Sequence, residues 1–237
     1  MSTLLAQSEL VIDWENLPTY NTIMAVAAGA ALITLVRLGR ELHREPGAVS
    51  VDGYVIAFAV TGFILTVTGT HMTLTWPLAP DFPFDNIVFG ETSLGFGVLL
   101  LAAAWFTWRR GAAMLAEPDP VGAACRVARP VSIFVFGLGA SLIAIGVAGM
   151  RYRLFAAPPV EPISGWYFAR WPWVEASFIS GLWALVGVGA IAAAIACNRH
   201  RSWLAVAGWA WLVSGATLLA FGILNFFTHI GLIVETM

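Results

Sequence analysis

The chain has 237 residues, of which 59% are hydrophobic and only 11% are charged. A soluble domain of this length needs far more polar surface, so the composition predicts a membrane protein with several transmembrane helices. The formal net charge of -2 gives no indication of a nucleic-acid partner. The first twenty residues lack a basic segment followed by an apolar one, so they do not predict a cleaved signal peptide.

Six apolar stretches are each long enough to cross the hydrocarbon core of a bilayer, which takes about 20 helical residues. They predict an all-α fold: one transmembrane domain, a bundle of six helices over residues 1–237. The sixth stretch exceeds the usual length, so we expect it to tilt or to project beyond the membrane. The predicted spans run over about residues 19–38, 54–74, 87–108, 131–150, 173–197 and 203–234.

The arginines predict an orientation in the membrane. Nine of the 12 basic residues flank one end of the predicted bundle, and the other three, Arg151, Arg153 and Arg170, flank the opposite end. The positive-inside rule then places the arginine-rich end in the cytoplasm and both termini outside. Cys125 and Cys197 fall at the arginine-rich end, where a reducing cytoplasm would keep them as free thiols.

Related phrases recur at the other end of the bundle. Spans 2 and 6 end on THMTL (70–74) and THIGL (228–232), and span 4 carries AGMRY (148–152) at the corresponding place. Spans 3 and 5 begin with ETSLGFG (91–97) and EASFISG (175–181). We interpret these as a repeated helical hairpin, with spans 2–3 and 4–5 as copies and spans 6 and 1 as a weaker third.

The repeated phrases bring two imidazoles and two carboxylates to a similar predicted depth near the extracytoplasmic face. Imidazole and carboxylate together suit transition metals such as copper, zinc or iron. The leading hypothesis is therefore a metal site with a redox or metal-dependent role. Its predicted ligands are His71, Glu91, Glu175 and His229, and the polar residues that would orient the histidine rings are Thr68 and Asn225.

Span 2 also carries a stripe of polar side chains at helical spacing. We expect this stripe to face the bundle interior or a cavity, because lipid cannot satisfy polar groups. Its members are Thr61, Ile64, Thr68, His71 and Thr75.

Other interpretations of the same residues stay open. His71 and His229 are candidate axial ligands of a b-type haem, although haem would leave the glutamates unexplained. Glu91 and Glu175 are candidate members of a proton or ion path. A carboxylate in the first turn of a helix is also stabilised by the helix dipole, and a histidine in the last turn likewise. In that case the polar layer is structural, in an accessory subunit whose partners are lipid, other membrane subunits or a second copy.

Two phrases carry a resemblance to a known family. With HMTLTWPL at 71–78, NIVFGE at 86–91 and six spans, the chain resembles a family of bacterial and archaeal membrane proteins known only as a domain of unknown function. The resemblance covers most of the chain, from span 1 to span 6. It implies the same membrane fold and supports the positions around His71 and Glu91, but it implies no reaction.

Overall fold

The computed structural model describes residues 20–79, 82–157 and 159–236, and within these ranges the chain is helical and contains no strand. Six of the helices are long and apolar enough to cross a membrane, which confirms the predicted fold class. Thr19, where the first span was predicted to begin, and the N-terminal segment before it lie outside the described residues. The helices are α1 (Asn21–Arg44), α2 (Val51–Thr75), α3 (Pro83–Leu115), α4 (Pro120–Ala128), α5 (Ser132–Tyr152), α6 (Ser164–Phe168), α7 (Pro172–Asn198) and α8 (Trp203–Thr236).

Several helices extend beyond the apolar stretches that predicted them, because polar side chains stabilise the added turns. In α1, Arg37 Nε donates a hydrogen bond of 2.7 Å to Glu41 one turn later. The hydroxyl of Tyr54 donates to the same carboxylate at 2.8 Å. At the start of α2, the Ser50 hydroxyl accepts a hydrogen bond from the backbone N–H of Gly53, as an N-cap does.

The six spanning helices form a ring built from three tightly packed pairs. The pairs are α2 with α3, α5 with α7, and α8 with α1. The ring continues through the contacts of α1 with α2 and of α7 with α8, whereas α3 and α5 barely touch. These three pairs are the three hairpins that the repeated phrases predicted.

The pairs are held by close backbone approach at glycines. The helices α2, α5 and α8 each carry two glycines seven residues apart: 62 and 69, 139 and 146, 215 and 222. A Cβ atom added at Gly69 would lie 2.5 Å from the backbone nitrogen of Leu94 in α3. Small residues at such crossings let two backbones pack directly against each other in a membrane.

The same glycines show that the repeated phrases do not occupy equivalent places in the pairs. A Cβ at Gly97 would meet Gly62 O at 2.9 Å, and a Cβ at Gly187 would meet Gly139 O at 2.5 Å. Packing therefore matches Gly97 with Gly187, whereas the phrases matched it with Gly181. Glu91 comes six residues before its crossing glycine and Glu175 comes twelve before its own, so the two glutamates are not counterparts.

The two cysteines form a disulfide, so the prediction of free thiols is wrong. The physical reason is the packing of the short helix α4 against the end of α7. This packing brings the Cα atoms of Cys125 and Cys197 to 4.7 Å, within the range that a disulfide spans. Arg129 Nε also donates a hydrogen bond of 2.9 Å to the carbonyl oxygen of Cys197.

Large apolar side chains project outward around the ring. Ile133 is 80% exposed and Leu74 76%, and exposed tryptophans such as Trp105 lie on the same outer surface. Water does not tolerate a continuous apolar surface of this extent, whereas lipid tails do. The protein is therefore a multi-pass membrane protein whose ring of helices contacts lipid.

Candidate binding site at the histidine end of the bundle

One end of the bundle contains a cavity of about 170 Å³, which we name the polar cavity. We name this end the histidine end, because it carries His71 and His229, and the opposite end the arginine end. The wall of the polar cavity is formed by the first turns of α1, α3 and α7, the last turns of α8 and the loop after α5. Its polar lining consists of Asn21, Asp85, Glu161, Glu175, Asn225, Thr228 and His229.

Three groups in the polar cavity have no hydrogen-bond partner among the described residues. Asn21 Oδ1 and His229 Nδ1 are buried and unpaired. The carboxylate of Asp85 is largely enclosed, and no described side chain or backbone N–H donates to it. The carboxylate and the amide oxygen only accept hydrogen bonds, and the imidazole nitrogen accepts in one of its tautomers. The cavity therefore offers acceptors to whatever enters it.

The other two carboxylates of the cavity already hold its wall together. Glu175 accepts a hydrogen bond of 2.7 Å from the backbone N–H of Ala157, which fixes the loop after α5 to the start of α7. Glu161 accepts one of 3.0 Å from the N–H of Gly165 at the start of α6. Asp85 is thus the carboxylate left free to bind a ligand.

Asn86 positions Asp85 and the loop that precedes it. Its side chain is fully buried, with Oδ1 accepting from the N–H of Leu78 and Nδ2 donating to the carbonyl of Pro83, both at 3.1 Å. The loop leaves α2 through Trp76, whose φ of 49° is left-handed. The phrases HMTLTWPL and NIVFGE flank this loop, and each contributes one residue, Leu78 and Phe89, to the lining of the cavity.

The structure brings together only some of the predicted metal ligands. Glu175 and His229 line the polar cavity with Asn225. His71 and Glu91 are exposed and do not line it, and the Nδ1 atom of His71 is hydrogen-bonded to the Tyr20 hydroxyl at 2.6 Å. Within the described ranges, no group of three or more His, Cys, Asp or Glu side chains is arranged to hold a metal ion.

The polar stripe of α2 does not form the buried face of that helix, contrary to expectation. The hydroxyls of Thr61, Thr68 and Thr75 each donate to the carbonyl four residues earlier, so they need no partner in the bundle. This back-bonding is the physical reason that the threonines of the stripe need not lie on the buried face. The buried face consists instead of Tyr54, Phe58, Gly62, Leu65, Gly69 and Met72.

The two histidines of the haem hypothesis lie on different pairs. His71 is on α2 and His229 is on α8, and both helices pack against α1 rather than extensively against each other. Since His71 is exposed and His229 faces the polar cavity, the described residues do not place the two imidazoles on one cavity.

A second, larger cavity lies inside the ring, with a volume of about 300 Å³ and an almost wholly apolar wall. We name it the central cavity. Phe89 lines both cavities, and its ring meets that of Trp183 edge to face with centroids 5.6 Å apart. Phe89 therefore lies where the polar cavity meets the central one.

The central cavity borders the weakest contact of the ring, the seam between α3 and α5. Leu99 and Ala103 of α3 and Val135 and Leu138 of α5 line it. At this seam a Cβ added at Gly95 would meet only side-chain atoms of Phe134 and Leu138, at 3.5 and 3.6 Å. Side chains, rather than a close backbone crossing, separate the central cavity from lipid there.

At the arginine end, α4 borders the central cavity, because its last residue, Ala128, lines that cavity. Arg201 anchors α4 by donating two hydrogen bonds to Asp119, of which the Nη1–Oδ1 bond measures 3.0 Å. These bonds, and next the N–H of Gly122, lower the pKa of the Asp119 carboxyl below its ordinary value. The central cavity therefore has α4 near its arginine end and shares Phe89 with the polar cavity at the other.

The chain matches the family described as "Protein of unknown function (DUF981)" over residues 18–231. The chain belongs to this family. The match includes five spanning helices in full and most of α8, together with every lining residue of the two cavities except Leu232, and it confirms the resemblance that the two phrases indicated. No curated protein and no solved structure matches the chain.

Proposed function

We propose that the protein binds a small molecule that carries a cationic, N–H-bearing group, and that the polar cavity is its binding site. The observation that most supports this proposal is a set of polar groups in one cavity. Asn21 Oδ1 and His229 Nδ1 are buried and have no partner among the described residues, and no described group donates to the Asp85 carboxylate that lines the same cavity. A buried polar group left unpaired costs about 1–3 kcal/mol, so a ligand that donates hydrogen bonds to these groups is stabilised by the pairing.

The charge of the cavity selects the same class of ligand. Three carboxylates line it, and no arginine is among its described lining residues. A protonated amine combines positive charge with several N–H donors, and bonds between charged partners are the stronger ones. A carboxylate ligand of the same size would instead meet like charge from the three carboxylates.

The test is equilibrium dialysis of labelled octylamine against the protein in lipid nanodiscs, with empty nanodiscs as blank. We expect one saturable amine site per chain and no saturable octanoate site. Asp85→Asn should weaken amine binding roughly 10- to 150-fold, the worth of a hydrogen bond to a charged group. Glu91→Gln, which removes an exposed carboxylate outside the cavity, is the matched control and should bind as the wild type does. Equal binding by Asp85→Asn and wild type would overturn the proposal.

A metal ion is the second candidate, since Glu175, His229 and Asp85 share the polar cavity. An ion would need to draw these three side chains together and to release Glu175 from Ala157. Elemental analysis for copper, zinc, iron and manganese on protein purified without chelators tests it. Stoichiometric metal that is lost in His229→Ala and retained in His71→Ala would favour this candidate over an amine. The haem, transport and accessory-subunit hypotheses stay predictions.

A further inference from the structure

We infer that the ligand is a single-chain amphiphile whose apolar tail occupies the central cavity while its amine lies in the polar cavity. The inference rests on the proposed function, because it takes the amine site as given and adds the rest of the molecule. Its starting point is the position of Phe89, which lines both cavities.

The two cavities differ in chemistry in the way that the two parts of an amphiphile differ. The central cavity is walled by side chains such as Leu100, Leu142 and Trp183, and polar groups contribute almost nothing to its wall. The central cavity has a volume of about 300 Å³ and the polar cavity about 170 Å³. Taken together, the two volumes lie within the range of about 300–1,000 Å³ that ligand sites occupy. A polar head alone would leave the larger cavity without an occupant.

Rotation of the Phe89 ring is the local change that the inference needs. Phe89 lies in the π-helical turn Asn86–Glu91 at the start of α3, a kind of turn that occurs often at functional sites. The same turn begins next to Asp85, so one segment presents both the amine-binding carboxylate and the ring between the cavities. A chain that follows the amine past Phe89 enters the apolar cavity directly.

The surroundings of the central cavity indicate that the ligand comes from the bilayer. The seam between α3 and α5 is the weakest contact of the ring, and side chains alone close it at Gly95, Phe134 and Leu138. At the arginine end, by contrast, the disulfide of Cys125 and the ion pair of Asp119 fix α4 across the bundle. A lipid-soluble amphiphile can part side chains at the seam without separating paired backbones.

The experiment measures how the affinity of n-alkylamines depends on chain length, from butylamine to dodecylamine, by dialysis against nanodiscs and relative to free aqueous amine. Each methylene buried in the central cavity should raise affinity about fourfold until the cavity is full, after which affinity should stop rising. Partition into empty nanodiscs has no such break, so the break identifies the cavity. Ala28→Leu and Ala103→Leu, which fill the cavity from α1 and from α3, should each move the break to shorter amines.

Ala102→Leu is the matched control, because Ala102 is exposed on the outside of α3 and the change adds the same atoms. It should leave the break where the wild type has it. If short and long amines bind equally and the two cavity-filling variants change nothing, the inference is overturned while the proposed amine site stands. If no amine of any length binds saturably, the proposed function fails and this inference fails with it.

Discussion

Gly69 is the position where the packing of the bundle can be tested most sharply. A Cβ atom there would lie 2.5 Å from the backbone nitrogen of Leu94 and 2.8 Å from the carbonyl oxygen of Gly90, whereas ordinary contacts begin at 3.4 Å. Both neighbours are backbone atoms, so no side-chain rotation relieves the contact. Gly69→Ala must therefore move α2 and α3 apart by about 0.9 Å, the difference between 2.5 and 3.4 Å.

Overpacking of this kind costs about 1–3 kcal/mol. Gly39→Ala is the matched control: it makes the same change in an exposed part of α1, and nothing lies within 4 Å of its added Cβ. Both variants gain up to about 1 kcal/mol of helix propensity, so the difference between them isolates the crossing. Thermal unfolding in detergent, followed by circular dichroism, should place Gly69→Ala below Gly39→Ala by about 2–4 °C per kcal/mol. Equal midpoints would refute the close approach of α2 and α3.

Other parts of the structure give further predictions. Asn86→Ala should lower the free energy of unfolding by about 1–3 kcal/mol, because it leaves the N–H of Leu78 unpaired, and Asn86→Ser should not restore the lost stability. An unfolding midpoint equal to that of the wild type would contradict the role of Asn86 in the loop. Maleimide–PEG should modify no cysteine in the denatured, unreduced chain and both cysteines after reduction. In Cys125→Ser it should modify one cysteine without reductant, and two modifications of the unreduced wild type would rule out the disulfide. The pKa of Asp119 is lowered by Arg201 and Gly122, so its stabilisation of α4 is present above the unfolded-state pKa of about 3.9 and is lost as the pH falls through the lower folded-state pKa. The unfolding midpoint should therefore fall as the pH is lowered from about 5 through the unfolded-state pKa in wild type and fall less in Asp119→Asn, and equal pH dependence would count against this anchor. His71→Ala should lower stability by about 1 kcal/mol through loss of the Tyr20 bond yet leave amine binding unchanged; a lost amine site would contradict the assignment of His71 outside the cavity.

The fold was predictable because bilayer thickness acts on sequence directly. Six continuous apolar stretches of about 20 residues had to become six helices, since a helix satisfies its backbone polar groups within one segment, whereas barrel strands are shorter and alternate in hydrophobicity. The pairing of helices was also readable from THMTL, THIGL and the related phrases. The register of the paired helices could not be predicted from these phrases. It is set by backbone contacts at Gly62, Gly97, Gly139 and Gly187 rather than by the polar residues nearby. The repeated seven-residue spacing of glycines in α2, α5 and α8 was the signal that carries the register.

The candidate site was predictable in part. Glu175, His229 and Asn225 share a cavity, but Glu175 holds a loop and the unpaired acceptors are Asp85, Asn21 and His229. Sequence reasoning missed Asp85 and Asn21 because nothing in their local pattern separates an acceptor in a cavity from one at a lipid interface. It grouped His71 with the other ligands because helical spacing alone does not tell which face of a helix is buried, and here His71 is exposed while threonines of its stripe bond to their own helix. Cys125 and Cys197 are 72 residues apart, and only packing of α4 against α7 brings them together.

The most direct test of the amine site is to fix the bound amine covalently and locate it. Octylamine is bound in nanodiscs and a water-soluble carbodiimide is added, which activates a carboxyl group, so that the amine displaces the urea and forms an amide. Peptide mass spectrometry then compares Asp85, in the polar cavity, with Glu91, which is exposed outside it. We predict saturable amide formation at Asp85 that a tenfold excess of unlabelled decylamine reduces and octanoate does not. Amide at Glu91 with none at Asp85 would contradict the account.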